Sequence, residues 1–192
     1  MGRIGKLCFM VGCLLVAGSL ALFLSVHITA ARAETRNAAT VESICSLLPP
    51  LQPGVQDTYS NMAMPVLEID GSDYVALVDI PALGLLLPVA DEWDKGRVVI
   101  GPRRFGGTVY DGSLVVGGAD QQGQFSGFAY LQPGSSVTVT DMTGLVFHYV
   151  IDRIDRSASA SEEILTAGNA DLTLFVRNAY GLDYILLRCA AK

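Results

Sequence analysis

Few side chains in this sequence have the types and spacing that covalent chemistry requires. The chain holds four cysteines and two histidines among 192 residues. A thiol or hydroxyl becomes a nucleophile when a base sits beside it. Outside the apolar N-terminal stretch that contains His27, the one imidazole is His148, in "LVFHYVI". On a strand Val146, His148 and Val150 share one face and Phe147, Tyr149 and Ile151 the other, a setting that suits a packed or edge histidine as readily as a base. Cys189 and Ser113 have no other candidate base, so a nucleophile at Cys189 would have to be paired with His148. "GGADQQGQFSG" is rich in glycine but matches neither GxGxxG nor GxxxxGK[ST], so it reads as a mobile loop rather than a phosphate cradle. Asp91, Glu92 and Asp94 in "DEWDKG" suit either a calcium ion or a solvated turn. No spacing calls for a zinc site, and no metal or cofactor is expected. Arg177 stands apart. It follows Leu172, Leu174, Phe175 and Val176 in "DLTLFVRNAYGLDYILLRC", where a strand gives way to a turn at residues 178–181. A cation there either solvates a strand end or leans into a groove.

The elements that must position these groups are mainly short β runs: "YVALVDI", "LGLLLPV", "RVVIG", "SLVVGG", "SSVTVTD", "LVFHYVIDRI", "DLTLFV" and "DYILLRC". About eight strands broken by Asp-Gly, Pro-Gly and Thr-Gly turns predict a mostly β, closed barrel or sandwich. "SASASEEILTAGN" interrupts the pattern, and Ser161 before Glu162 and Glu163 predicts one helical turn. Upstream, Arg3 and Lys6 precede an uncharged run from Leu7 to Ile28, long enough in a helix to cross about 30 Å of hydrocarbon. The expected order is a cytoplasmic tail at 1–6, a membrane signal-anchor at 7–28, an amphipathic helix and linker at 29–63, and an extracellular domain at 64–192. Ala31-Arg32-Ala33 also fits a cleavage site, so a cleaved signal peptide is the alternative. In the helix, Val41, Ile44, Leu47 and Leu48 are the expected packing face, and Pro49-Pro50 ends it. All nineteen acidic residues follow residue 33, with ten of the thirteen basic ones, a formal charge of −9. That excludes a nucleic-acid partner, which would select a basic face. Cys45 and Cys189 could form a disulfide outside the membrane.

The order "MPVLEIDGSDYVALVDIPALGLLLPVADEWD", "LVVGGAD", "GFAYLQPGSSVTVTDMTGLVFHYVI", "DLTLFVRNAYGLDYILLRC" resembles the sortases, membrane-anchored cysteine transpeptidases of Gram-positive bacteria. The resemblance covers Met64 to Cys189 and implies a sortase-type barrel whose cleft binds a sorting-signal peptide. In a segment like "LVIAGHN" sortases carry their histidine, and "LVVGGAD" has Ala119 there. Their nucleophile ends a strand reading "TLxTC", where this sequence has Arg177. Their arginine opens the next strand, where Tyr184 stands. Arg188 and Cys189 lie about five residues further on, on the order of 17 Å at ~3.3 Å per residue. The resemblance thus implies an inactive pseudo-sortase at the cell envelope, with a sorting-signal peptide, a pilin or an active sortase as partner. The alternative is relocated chemistry at Cys189 with His148. In such a cleft Arg177 would need an anion, and Asp120 and Asp183 are the nearest in sequence.

Overall fold

A computed structural model describes residues 3–56, 59, 62–178 and 183–192, leaving out the side chains of 3–8, 24, 26, 27 and 29–31. The strands are β1 (Gln52–Pro53), β2 (Leu67–Ile69), β3 (Ser72–Ile80), β4 (Leu85–Ala90), β5 (Arg103–Gly106), β6 (Leu114–Ala119), β7 (Ser136–Asp141), β8 (Leu145–Ser157), β9 (Leu172–Arg177) and β10 (Tyr184–Ala191). Eight of them close on themselves in the order β3-β4-β5-β6-β9-β10-β8-β7 and back to β3. β1 adds in parallel to the start of β8, and β2 pairs with β3 outside the ring. Within the ring β4–β5 and β6–β9 are parallel and the other pairs antiparallel. Full closure leaves the ring without an unpaired edge.

Alternation along the strands sorts the barrel into two apolar sets. Val75, Leu114, Val116, Leu174, Val176, Ile185 and Leu187 fill the interior. Val115, Phe175 and Leu186 point outward and would be exposed but for a cover, which includes Leu165 of α2 (Glu162–Thr166), Trp93 and Phe105. This outer apolar patch is the feature that shapes the site described below. The β7–β8 turn is fixed by Asp141, fully buried, whose Oδ1 accepts from the Thr143 and Leu145 amides and the Thr143 hydroxyl, while Oδ2 accepts from the Tyr110 hydroxyl at 2.6 Å. Gly144 closes that turn at φ +83°, a conformation that favours glycine.

Four sequence expectations change. Residues 97–101 are turns rather than a strand: the Asp94 carboxylate accepts from the Gly96 amide at 2.7 Å, and the Arg97 and Val98 amides donate to the Asp94 carbonyl. The strand falls instead on Arg103–Gly106. The glycine-rich loop is anchored, since Gln124 and Phe125 are fully buried within it. The region at 49–63 contains β1, although residues 57, 58, 60 and 61 lie outside those described. Finally, the N-terminal helix and the amphipathic helix are one helix, α1 (Arg3–Leu47). Its buried stripe is Ala33, Asn37, Thr40 and Ile44, spaced four, three and four residues apart, while Leu47 faces solvent at 61 % exposure. Val41, Ile44 and Leu48 pack on Tyr74, Leu77, Ala90 and Met142 of the barrel. Among the described residues no helix is long and apolar enough to cross a membrane; the described side chains of the apolar run are continuous from Phe9 to Phe23. Within that stretch Phe9, Leu14, Leu15, Leu20 and Leu22 are all exposed.

Candidate functional site

Register, rather than sequence proximity, assembles the site. In the parallel β6–β9 pair Ala119 stands opposite Arg177, and in the antiparallel β9–β10 pair Arg177 stands opposite Tyr184. The three residues therefore form one row across three neighbouring strands, at the ends of β6 and β9 and the start of β10. They follow the outward face set by Val115, Phe175 and Leu186. There they line a cavity of about 340 Å³, together with Asp120, Lys95 and the aromatic wall.

The wall is a cluster of three rings. Trp93 meets Phe105 edge-on at 5.1 Å between ring centres and Phe175 at 5.5 Å; Phe105 and Phe175 meet edge-on at 5.9 Å. Gly117 makes this possible. A methyl group there would come within 2.5 Å of the indole and 2.6 Å of the Phe175 ring, so only bare backbone fits beneath them. On the opposite side of β6 a methyl at Gly118 would strike Phe125 at 2.3 Å. The double glycine in "LVVGGAD" is thus a packing requirement on both faces of the strand. Val98 and Val99 close one side of the cavity. They are held by Gln121 and Gln124, whose side-chain amides donate to the Val99 carbonyl at 2.6 and 2.7 Å. The Gln124 carbonyl oxygen in turn accepts from the Ala119 amide at 3.2 Å.

The far side is held by Arg188, a buried arginine that sequence reasoning set aside. Its Nη1 donates to the Leu165 carbonyl and to the Thr173 hydroxyl, its Nη2 to the Ile164 carbonyl, and its Nε to Asp155 at 3.3 Å. The guanidinium satisfies the carbonyls at the end of α2 and straps that segment, with Ala160, beside the cavity. The available signal was an arginine inside an apolar strand, "ILLRC", on the outward face.

Arg177 is exposed, and among the described residues it makes no ion pair. Asp120 lines the same cavity. Asp183 is engaged elsewhere: Arg156 donates to Oδ2 at 3.0 Å and the Asn178 amide group to Oδ1 at 3.1 Å. These contacts hold its carboxyl below the usual range, the Arg156 bond foremost. Among the described residues Arg177 and Asp183 form no ion pair. The turn expected at 178–181 lies, from residue 179 on, outside the described residues.

Cys189 and His148 do not meet. Cys189 faces the barrel interior, 1 % exposed, and burial pushes its thiol up to about 12. His148 is on the outward face of β8, with Nδ1 at 3.4 Å from the Thr138 hydroxyl. Opposite faces of a barrel wall cannot share a proton, so relocated chemistry at this pair is overturned. The thiol of Cys45 is exposed and free, and Cys189 is also free, so no Cys45–Cys189 disulfide forms. Ser113 donates to the Asp111 carboxylate within a tight turn, where, against the upward push of burial, bonds from Ser113 and Thr108 help hold that carboxyl below its usual range, and among the described residues no imidazole hydrogen-bonds the serine. Asp91 accepts from Arg104 and Asp94 caps its own turn, which spends both on local structure.

A closed eight-stranded barrel with an outer cleft at the ends of a parallel strand pair defines the class of fold. The sequence matches no family model and no curated protein, and the likeness to known proteins is one of shape. A sortase A from Corynebacterium diphtheriae superposes over 92 % of this chain and 91 % of its own at a TM-score of 0.52 and 18 % identity. Sortase C1 of Streptococcus agalactiae covers 86 % of this chain and 89 % of its own at 0.54 and 17 %. A Clostridium perfringens sortase D5 transpeptidase covers 62 % and 79 % at 0.52 and 19 %. The fold of this chain is the sortase fold.

Proposed function

We propose that the chain is a pseudo-sortase: a membrane-anchored module of the cell envelope whose outer cleft binds a peptide segment without cleaving it. The observation that carries the proposal is the row Ala119–Arg177–Tyr184 at one cavity. These are the positions at which the resemblance implies imidazole, thiol and guanidinium. A methyl cannot take a proton, a guanidinium cannot attack a carbonyl, and the remaining thiol outside the N-terminal helix is in the core. What the cavity retains is recognition chemistry: a solvated cation at Arg177, a second at Lys95, and an aromatic wall. Such a cleft suits an acidic or C-terminal peptide segment, its carboxylate on Arg177 and an apolar side chain on the rings. The partners the resemblance implies, a sorting-signal peptide, a pilin or an active sortase, are the ones to test for such a segment. The exposed apolar side chains of α1 between Phe9 and Phe23 support the anchor, with the barrel on the outer side.

The single tryptophan of the chain reports on this cleft. Titrating sorting-signal and pilin-tail peptides should change Trp93 emission in a saturable way, and the change should disappear in Arg177→Ala. Release from a quenched sorting-signal peptide should stay at background. Turnover abolished by Cys189→Ala would defeat the proposal.

A further inference from the structure

A second cavity, of about 210 Å³, lies where α1 crosses the barrel, and its lining brings together three arginines from separate parts of the chain. Arg36 comes from α1, Arg97 from the turn after Asp94, and Arg103 from the first residue of β5. Arg103 is nine-tenths buried. Its Nη1 donates to the Glu92 carbonyl at 2.8 Å, while its Nε is buried with no hydrogen-bond partner among the described residues. A buried donor on a cation is costly to leave unmet. Three like charges around one small space are costly too, and burial, followed by the nearby Arg97, depresses the Arg103 guanidinium. The carboxylates in this neighbourhood are Asp94 and Glu92, both of which act on Arg103; Asp94 pairs with the exposed Arg97 at 3.6 Å and has its other oxygen on the Gly96 and Arg97 amides, and neither carboxylate hydrogen-bonds the buried Arg103 Nε. Ser72 and Asn37 add neutral polar groups to the lining.

We infer that this cavity is a binding site for a phosphate-type oxyanion, held by the guanidiniums of Arg36, Arg97 and Arg103. Guanidinium groups present paired donors that match the oxygens of phosphate, which is why they dominate such sites. The space corresponds to several waters at about 30 Å³ each, enough for a tetrahedral anion and part of what it is bonded to. The same chemistry has two sources. A soluble phosphate would reach the cavity from solvent. A lipid headgroup would reach it from below, since Arg36 lies eight residues beyond Ile28, about 12 Å along the helix; this second source rests on the proposed anchor.

The test uses the full chain. In neutral detergent micelles, potassium phosphate should raise the unfolding temperature saturably, relative to potassium chloride at equal ionic strength. Separately, in phosphate-free buffer, nanodiscs of phosphatidylglycerol are compared with nanodiscs of phosphatidylcholine. Arg36→Gln/Arg97→Gln changes two exposed residues and should leave the fold intact. It should need at least tenfold more phosphate for the same shift, or lose the phosphatidylglycerol effect. Arg153→Gln/Arg156→Gln, an equal charge change on β8, should leave either response unchanged. A response to phosphate alone identifies the soluble source, and one to phosphatidylglycerol alone identifies the headgroup. The site is overturned by no response to either, by an equal effect of chloride, or by a response that the Arg36/Arg97 variant keeps or the Arg153/Arg156 variant also loses.

Discussion

Arg177 and Asp141 show how differently two charged side chains can serve one fold. Arg177 is solvated and makes no ion pair among the described residues, so its removal should cost little stability. Arg177→Ala should unfold within about 0.5 kcal/mol of the parent while losing peptide binding in the Trp93 titration; lost stability with binding intact would return the residue to a structural role. Asp141 is the opposite case. Its four donors are left unmet in Asp141→Ala, which should cost about 3 kcal/mol in denaturant unfolding and leave no local function to measure. Cys189 gives a pH-dependent expectation. Its folded pKa is raised, so the stability linked to the thiol is complete below the ordinary thiol value of about 8.5 and falls as pH rises from there towards 12. Urea unfolding between pH 8 and 11 should show that decline, and Cys189→Ala should flatten it. Under native conditions at pH 8, alkylation followed by mass spectrometry should label Cys45 and spare Cys189 until the chain unfolds.

At the scale of elements, the packing face of α1 was only partly legible. Val41, Ile44 and Leu48 announced themselves as apolar residues at helical spacing, and Leu47 belonged to the same run but points away. The rest of the stripe is Ala33, Asn37 and Thr40, small or polar side chains whose burial depends on partners elsewhere in the chain, such as the Gly123 carbonyl that accepts from Asn37 at 3.0 Å. Ile44→Ala should therefore cost about 3 kcal/mol in thermal unfolding, and Leu47→Ala close to nothing. The strands were easier, because alternation and turn residues are local. Seven of the eight expected runs are strands; the exception, "RVVIG", has the right composition, but the Asp94 carboxylate turns the chain first. The site row was the least accessible of all. Ala119, Arg177 and Tyr184 could be singled out by resemblance, but their alignment depends on a parallel pairing across a crossover of more than fifty residues, which no local pattern encodes. Gly117 belongs here as well. Gly117→Ala should force the Trp93 ring off Phe175 at a cost of about 1–3 kcal/mol and shift the tryptophan emission towards that of an exposed indole.

For the molecule as a whole, closure and straps confine variation to the outside of the ring. The interior is filled from every strand of the ring except β5, whereas the cleft is bounded by the 91–102 turns on one side, held through Gln121 and Gln124, and on the other by Ala160, next to the α2 segment that Arg188 straps. Arg188→Leu should loosen α2 and raise amide exchange at 160–166 before any global loss of structure. The unbroken course of α1 has a further consequence. A helix of 45 residues measures about 68 Å, and its buried stripe fixes the barrel to its C-terminal third. Whatever surface holds the N-terminal half then sets both the altitude and the heading of the cleft. A flexible tether would let the barrel sweep a hemisphere and share itself thinly among all of it, whereas a stiff stalk confines it to a thin shell. Partners tethered at that same altitude meet the cleft at a high effective concentration, and those at other heights scarcely meet it at all.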